Sequence, residues 1–136
     1  MIIGVLKEPS PETRISLTPE TVSALIKKGN SILVENNAGV TAFCSNEQFI
    51  AAGAELADRS KVLTTAEILL SINVPTDIND IPAGKVLLGV FSPLNSPEGH
   101  QKMAAGKLTA FSLDMLPRTT RAQAMDVLSS QANIAG

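Results

Sequence analysis

The feature that most constrains this chain is the regular alternation of short apolar runs with amphipathic stretches. The apolar runs are far too short to span a bilayer, and their Val, Ile and Leu content is typical of strands buried on both faces. We expect strands over residues 2–6, 31–36, 67–73, 85–91 and 108–113. Because helix-forming stretches separate these runs, crossover connections and a mostly parallel sheet are favoured.

Helix signals lie between the predicted strands. Thr18, Pro19 and Glu20 supply an N-cap, a first-turn proline and a first-turn acid, and the helix that they begin ends at "KKG". Further helices are expected over 46–53 and 97–105, and a last one after Thr119 or Thr120. The prediction is one α/β domain over residues 1–136, a three-layer, Rossmann- or flavodoxin-like open sheet with helices on both faces.

Composition excludes several classes of function. A net charge of -2 and a pI near 5.3 provide no positive field for nucleic acid. The single Cys44 and the single His100 cannot form a metal-binding set, so no metal is expected. We expect Cys44 to be an inert, buried or half-buried thiol and His100 to be solvated. The N-terminus reads as a strand without a secretion signal, which favours the cytoplasm.

Ligands of open parallel sheets bind beyond the carboxyl ends of the strands. The loops predicted at that edge are 7–17, 73–82, 91–97 and 114–118. No G-x-G occurs in the chain, although a dinucleotide-binding domain usually needs one where the backbone approaches the diphosphate. Gly84 and Gly89 have a Walker-like spacing without the following Lys and Ser or Thr. The residues alone therefore predict an incomplete site with no catalytic residue.

The last predicted helix carries an apolar stripe of Met125, Leu128, Ala132 and Ala135, which packing explains. A second face presents polar residues, and an arginine lies just ahead of the helix. These polar residues are Arg118, Gln123, Asp126, Ser129 and Ser130. Periodicity alone indicates a solvated face on which Asp126 pairs with Arg118 or Arg121.

Two motifs resemble a known family. The stretch "GVLKEPSPETRISLTPETVSAL" is similar to the opening of the alanine dehydrogenase and transhydrogenase alpha superfamily. The closing "PRTTRAQAMDVLSSQANIAG" resembles a segment of the alpha subunit of proton-translocating nicotinamide nucleotide transhydrogenase. The resemblance implies a first Rossmann-like domain, followed in the family by a second domain with the glycine-rich NAD site, and a cofactor that lies between the two.

Carried onto this chain, the resemblance implies that Arg118, Gln123, Asp126 and Ser129 face the nicotinamide end of NAD(H). It implies NADP(H) on a partner beta subunit, a membrane domain, and an alpha-subunit homodimer held at the cytoplasmic side of the inner membrane through its partners. Hydride transfer between two nicotinamides needs close approach in a dry cleft and no acid or base. No catalytic side chain is expected for that reaction.

Two positions differ from the alanine dehydrogenase pattern and bear on the alternative functions. Alanine dehydrogenases resemble this chain but have a Lys where Asn73 stands and a His near Pro93, and neither Asn nor Pro can move a proton. Amino-acid oxidation is therefore disfavoured. Arg14 is expected either to pair with Glu8 or Glu12 or to bind a ligand carboxylate. A non-catalytic module for subunit interaction is the remaining alternative.

Overall fold

The computed structural model describes residues 1–91 and 97–113. The strands are β1 (Ile2–Val5), β2 (Ser31–Glu35), β3 (Glu55–Ala57), β4 (Ile68–Leu70), β5 (Val86–Gly89) and β6 (Thr109–Ser112). The helices are α1 (Pro19–Lys27), α2 (Asn46–Ala51), α3 (Arg59–Thr65) and α4 (Pro97–Ala105). Within the described ranges, no helix is both long and apolar enough to cross a membrane.

All six strands form one sheet in the order β3-β2-β1-β4-β5-β6, and every described pairing is parallel. The order runs outward from β1 in one direction and then outward from β4 in the other. The chain reverses between these two central strands, which makes the gap between β1 and β4 the topological switch point. The predicted open, parallel α/β sheet is confirmed.

Helices cover both faces of the sheet, as predicted. One apolar cluster places Val62 and Leu63 of α3 and Met103 of α4 against Leu69 and Leu87 of the strands. The other cluster, on the opposite face, includes Val22 of α1 and Phe49 of α2. Strand side chains alternate between faces, so β1, β2 and β4 contribute to both clusters, which explains why their sequences are apolar throughout.

Local capping sets where two of the predicted helices begin. The Thr18 side chain accepts a hydrogen bond from the backbone N–H of Thr21, as its N-cap position predicts. Ser45 and Gln48 form a reciprocal capping box at the start of α2. Both helices, and α4, lie within the predicted ranges.

One strand and one helix were absent from the sequence prediction. Strand β3 has three residues and pairs only with β2 in the described sheet, so it carries too little apolar sequence to be recognised. Helix α3 has a weak helical sequence with two threonines, but Asp58 caps it by accepting from the Lys61 N–H at 2.8 Å. The predicted strands at 67–73, 85–91 and 108–113 were also too long, because their ends belong to loops.

Candidate functional site

The candidate site is the carboxyl edge of the sheet, where the loops after β1 and β4 meet at the switch point. The described parts of the predicted edge loops lie there, since 7–17 follows β1 and 73–82 follows β4. The loop at 36–45 follows β2 and also lies at this edge, although the sequence analysis did not include it. Residues 92–96 and 114–118 lie outside the described residues.

Glu8, in the loop after β1, is a buried charged residue at this edge. Only 7% of the residue is exposed. Its carboxylate reaches across the switch point and accepts the backbone N–H groups of Ile72 and Asn73, the latter at 3.2 Å. The Ser71 hydroxyl lies 3.1 Å from the same carboxylate and 2.6 Å from the carbonyl oxygen of Asn73. Glu8 therefore joins the two central strands through the loops that follow them.

Asn73 links this buried carboxylate to a second one. Its side-chain nitrogen Nδ2 donates to Oε2 of Glu8 and to Oε2 of Glu12, both at 3.3 Å. An amide nitrogen carries two hydrogens, so it can serve both acceptors at once. The uncharged Asn73 amide thus bridges the two carboxylates.

Arg14 forms an ion pair with Glu12, which is the first of the two roles expected for it. Its Nε donates to Oε1 and its terminal NH2 group to Oε2 of Glu12, each at 2.8 Å. This two-point contact is the chief reason why the pKa of Glu12 is lowered from 4.5 to about 2. The same hydrogen bonding raises the pKa of Arg14. About half of the Arg14 side chain is still exposed at the edge.

Arg59 organises the far side of the same edge. Its Nε and NH2 groups donate to the two carboxylate oxygens of Asp77 at 2.5 and 2.7 Å, and its NH1 group donates to Glu35 at 2.8 Å. The hydrogen bond from Arg59 is the main cause of the lowered pKa of Asp77. Arg59 therefore ties the end of β2 to the loop after β4 and has every side-chain nitrogen engaged.

Two cavities open beside these contacts. One of about 490 Å³ is polar, with Lys7, Arg59 and the three carboxylates of Glu8, Glu12 and Glu35 in its walls. Another of about 440 Å³ has an apolar floor that includes Leu70, Leu88 and Val90. Arg14 and Ser16 also line it. The buried Ser16 hydroxyl has no hydrogen-bond partner within the part of the chain that the structure describes.

The cofactor-contacting residues implied by the resemblance, Arg118, Gln123, Asp126 and Ser129, lie outside the described residues, as does Pro93. His100 lies on α4 and is half-buried, so the expectation of a solvated side chain was wrong. Cys44 is half-buried, as predicted, and its thiol donates to the carbonyl of Ala42. Among the described residues no group of three metal-ligating side chains occurs.

Sequence reasoning missed the connection between Glu8 and the backbone after β4. The signal was available only in part, because Glu8 and Glu12 both stand in the opening motif of the family. The motif gives residue types, but the partners of Glu8 are backbone amides more than 60 positions further along the chain. No side-chain pattern in a sequence marks a backbone donor.

Comparison with known proteins identifies the family. Residues 4–135 match the family described as the N-terminal domain of alanine dehydrogenase and PNT. The chain belongs to this family. It is 36% identical to the NAD(P) transhydrogenase subunit alpha of Haemophilus influenzae over all of its own length and 27% of that protein. It is 31% identical to the alanine dehydrogenase of Bacillus subtilis, covering 36% of that protein.

The solved structures agree with the AlaDH/PNT assignment. The crystal structure of a transhydrogenase from Sinorhizobium meliloti superposes with a TM-score of 0.92 at 34% identity, covering 99% of this chain and 41% of the other. The chain thus spans between about a quarter and two fifths of the length of these relatives.

The two cavities of the described edge differ in the chemistry of their linings. A nicotinamide is a flat ring with one carboxamide, and the 440 Å³ cavity combines several apolar side chains with Arg14 and Ser16 in its lining. A diphosphate needs free donors and positive charge. In the 490 Å³ cavity, carboxylates outnumber the basic side chains, and Arg59 is fully engaged.

Proposed function

We propose that this domain forms one wall of the NAD(H) site in the alpha subunit of a proton-translocating NAD(P) transhydrogenase. Hydride then passes from NADH to NADP⁺ that the beta subunit presents. The observation that carries the proposal is the match to transhydrogenase alpha subunits over the entire chain, with 36% identity to one relative and a TM-score of 0.92 to a solved one. The other wall belongs to a second, nucleotide-binding domain.

The chemistry of the edge supports hydride transfer in place of amino-acid oxidation. Asn73 donates both hydrogens of its amide to Glu8 and Glu12 and cannot act as a proton donor to a reacting imine. A bound nicotinamide supplies the hydride itself, so the protein's task is to hold the ring and exclude water. We assign the ring-holding task to Arg118, Gln123, Asp126 and Ser129, with Arg118 and Ser129 on the carboxamide.

The remaining parts of the proposal concern assembly. The alpha subunit is expected to be a homodimer, bound to the inner membrane at its cytoplasmic side through the beta subunit and a membrane domain. Relatives named as a subunit alpha support a multi-subunit complex. By itself, this domain is expected to lack hydride-transfer activity, because one wall cannot enclose the cofactor.

The test uses the intact alpha subunit that carries this domain, together with its beta subunit. Arg118→Ala and Gln123→Ala should each lower the rate of hydride transfer from NADH to an oxidised NADP analogue by about 10- to 100-fold, since each removes a group that positions the ring. Arg121→Ala and Gln131→Ala are matched controls in the same segment and should retain the rate. Unchanged rates in the first two variants would reject the assigned roles.

The second candidate is an alanine dehydrogenase-like activity, favoured by the 31% identity to the Bacillus subtilis enzyme. It predicts reductive amination of pyruvate with ammonia and NADH by the intact protein. The position of Asn73 between two carboxylates argues against it. Measurable turnover of pyruvate at a rate comparable to hydride transfer would restore this candidate.

A further inference from the structure

The crevice between β1 and β4 is where an open sheet of this topology usually receives a ligand phosphate. In a dinucleotide-binding domain the loop after β1 offers backbone amides to that phosphate. Here the roles are reversed, because the loop after β1 delivers the carboxylate of Glu8 and the loop after β4 supplies the amides of Ile72 and Asn73. We infer that Glu8 is a built-in anion that fills this cradle and closes the crevice to the phosphates of a nucleotide.

The contacts of Glu8 are those of a bound anion. Two backbone N–H groups and the Asn73 side-chain amide donate to it, and it is 93% removed from solvent by the fold. Each of these donors is uncharged, and the positive charge of Arg14 acts on the carboxylate through space. Neutral donors that converge on one buried anion are the usual construction of a phosphate or carboxylate cradle.

The surroundings reinforce the closure. Glu12 and Glu35 also line the adjoining 490 Å³ cavity, so an incoming phosphate would meet like charges. The guanidinium that contacts Glu35 is that of Arg59, which also donates to Asp77 and to the carbonyl of Lys7, whereas Arg14 donates to Glu12. A phosphate could enter only by displacing Glu8 and leaving its carboxylate beside the two others.

The inference about the crevice depends only on these contacts, and its consequence for the cofactor rests on the proposed function. If this domain is one wall of an NAD(H) site, the diphosphate must be held by the other wall. This wall then meets the nicotinamide end alone. The closed crevice also accounts for a Rossmann-like sheet that has no glycine-rich phosphate loop.

The test is chemical rescue. Glu8→Ala removes the methylene and carboxylate groups that acetate reproduces almost atom for atom, and should lower the Tm of the chain by about 5–10 °C. Acetate should recover at least half of that loss relative to chloride at equal ionic strength, with a gain that grows with acetate concentration. Inorganic pyrophosphate, with its greater bulk, should recover less.

Glu67→Ala is the matched control. Glu67 also accepts a backbone N–H, that of Ile2 at 2.8 Å, but it is exposed at the opposite end of the sheet and lies in no cradle. Its loss should not be recovered by acetate. An equal effect of acetate on Glu8→Ala, Glu67→Ala and the unmodified chain would overturn the inference. If Glu8→Ala folds only when acetate is present, the inference is supported. If it folds in neither acetate nor chloride, the NMR measurement below decides.

That measurement uses the unmodified chain. The amide NMR signals of Ile72 and Asn73 should stay unchanged when pyrophosphate is added, because Glu8 already occupies both donors. Saturable shifts of these two signals would show an open crevice and overturn the inference. The proposed function has its own test, because it fails if NAD(H) does not bind the intact alpha subunit. That result would not change the expected acetate rescue or the expected unchanged amide signals.

Discussion

Two carboxylates four residues apart in one loop are held in opposite ways. Glu8 is buried and accepts hydrogen bonds from uncharged amides, whereas Glu12 lies nearer the surface and accepts two hydrogen bonds from the Arg14 guanidinium. A buried charge that receives only uncharged hydrogen-bond donors is tolerable when those hydrogen bonds satisfy it fully. A surface pair needs no such enclosure, but solvent weakens it. The comparison teaches that the first carboxylate is part of the fold and the second belongs to the accessible site.

The most direct test of the comparison replaces each of the two carboxylates, Glu8 and Glu12, by the same residue. Glu8→Met keeps the side chain's length but leaves the buried N–H groups of Ile72 and Asn73 without an acceptor, which should cost about 3 kcal/mol of unfolding free energy. Glu12→Met should cost less, about 1–2 kcal/mol, because the Arg14 partner is half exposed and solvent weakens the pair. Urea unfolding measures both. Equal costs would contradict the distinction between the two carboxylates.

Asn73 donates a hydrogen bond to both carboxylates, and its substitution tests whether they are coupled. Asn73→Ala keeps the backbone N–H that serves Glu8 and removes the amide that joins Glu8 to Glu12. We expect a loss of about 1–2 kcal/mol. In a double-mutant cycle, the cost should shrink when Glu8 is already Met, since the main acceptor is then gone. Strict additivity would show that the two contacts are independent.

These contacts also show how far a sequence can predict such a site. The apolar runs of β1, β2, β4, β5 and β6 are long enough to be recognised, and Thr18 marks the start of α1 by its chemistry. Strand β3 and helix α3 were missed because three residues and two threonines give no clear period. Tertiary pairing with β2 and the cap from Asp58 decide their structure.

At the site, the sequence predicted the loops and the alternatives for Arg14, but it could not decide between Glu8 and Glu12 as the partner. Both acids are within reach of Arg14 along the chain. The choice is made by Ile72 and Asn73, whose backbone amides occupy Glu8 and leave Glu12 for the arginine. Such competition depends on strand order and is invisible until β1 and β4 are known to be neighbours.

Acid should weaken the Glu12 contact over a defined pH range, which sharpens the comparison. The pKa of Glu12 lies at about 2, below its ordinary value of 4.5. An acid whose pKa is lowered by folding adds stability above the ordinary value, and this stability is lost as the pH falls toward the folded value. Between pH 4.5 and 2, Glu12→Gln should therefore show a smaller decline in unfolding free energy than the unmodified chain, and an identical decline would contradict the contribution of Glu12.

The smallest change in stability is expected for Arg14→Gln, which nevertheless gives the clearest signal at the site. Because the Arg14 hydrogen bonds are the main cause of the lowered pKa, their loss should raise the pKa of Glu12 from about 2 toward 4.5, measured by NMR titration of its carboxyl carbon. At neutral pH the unfolding free energy should change by less than about 1 kcal/mol. Lys61→Gln, which breaks the exposed pair with Glu55, is the control and should leave the pKa of Glu12 unchanged. A pKa that stays near 2 in Arg14→Gln would mean that the Asn73 amide, which also donates to Glu8, fixes the charge of Glu12 in place of the guanidinium, and the two carboxylates would then belong to one structural unit.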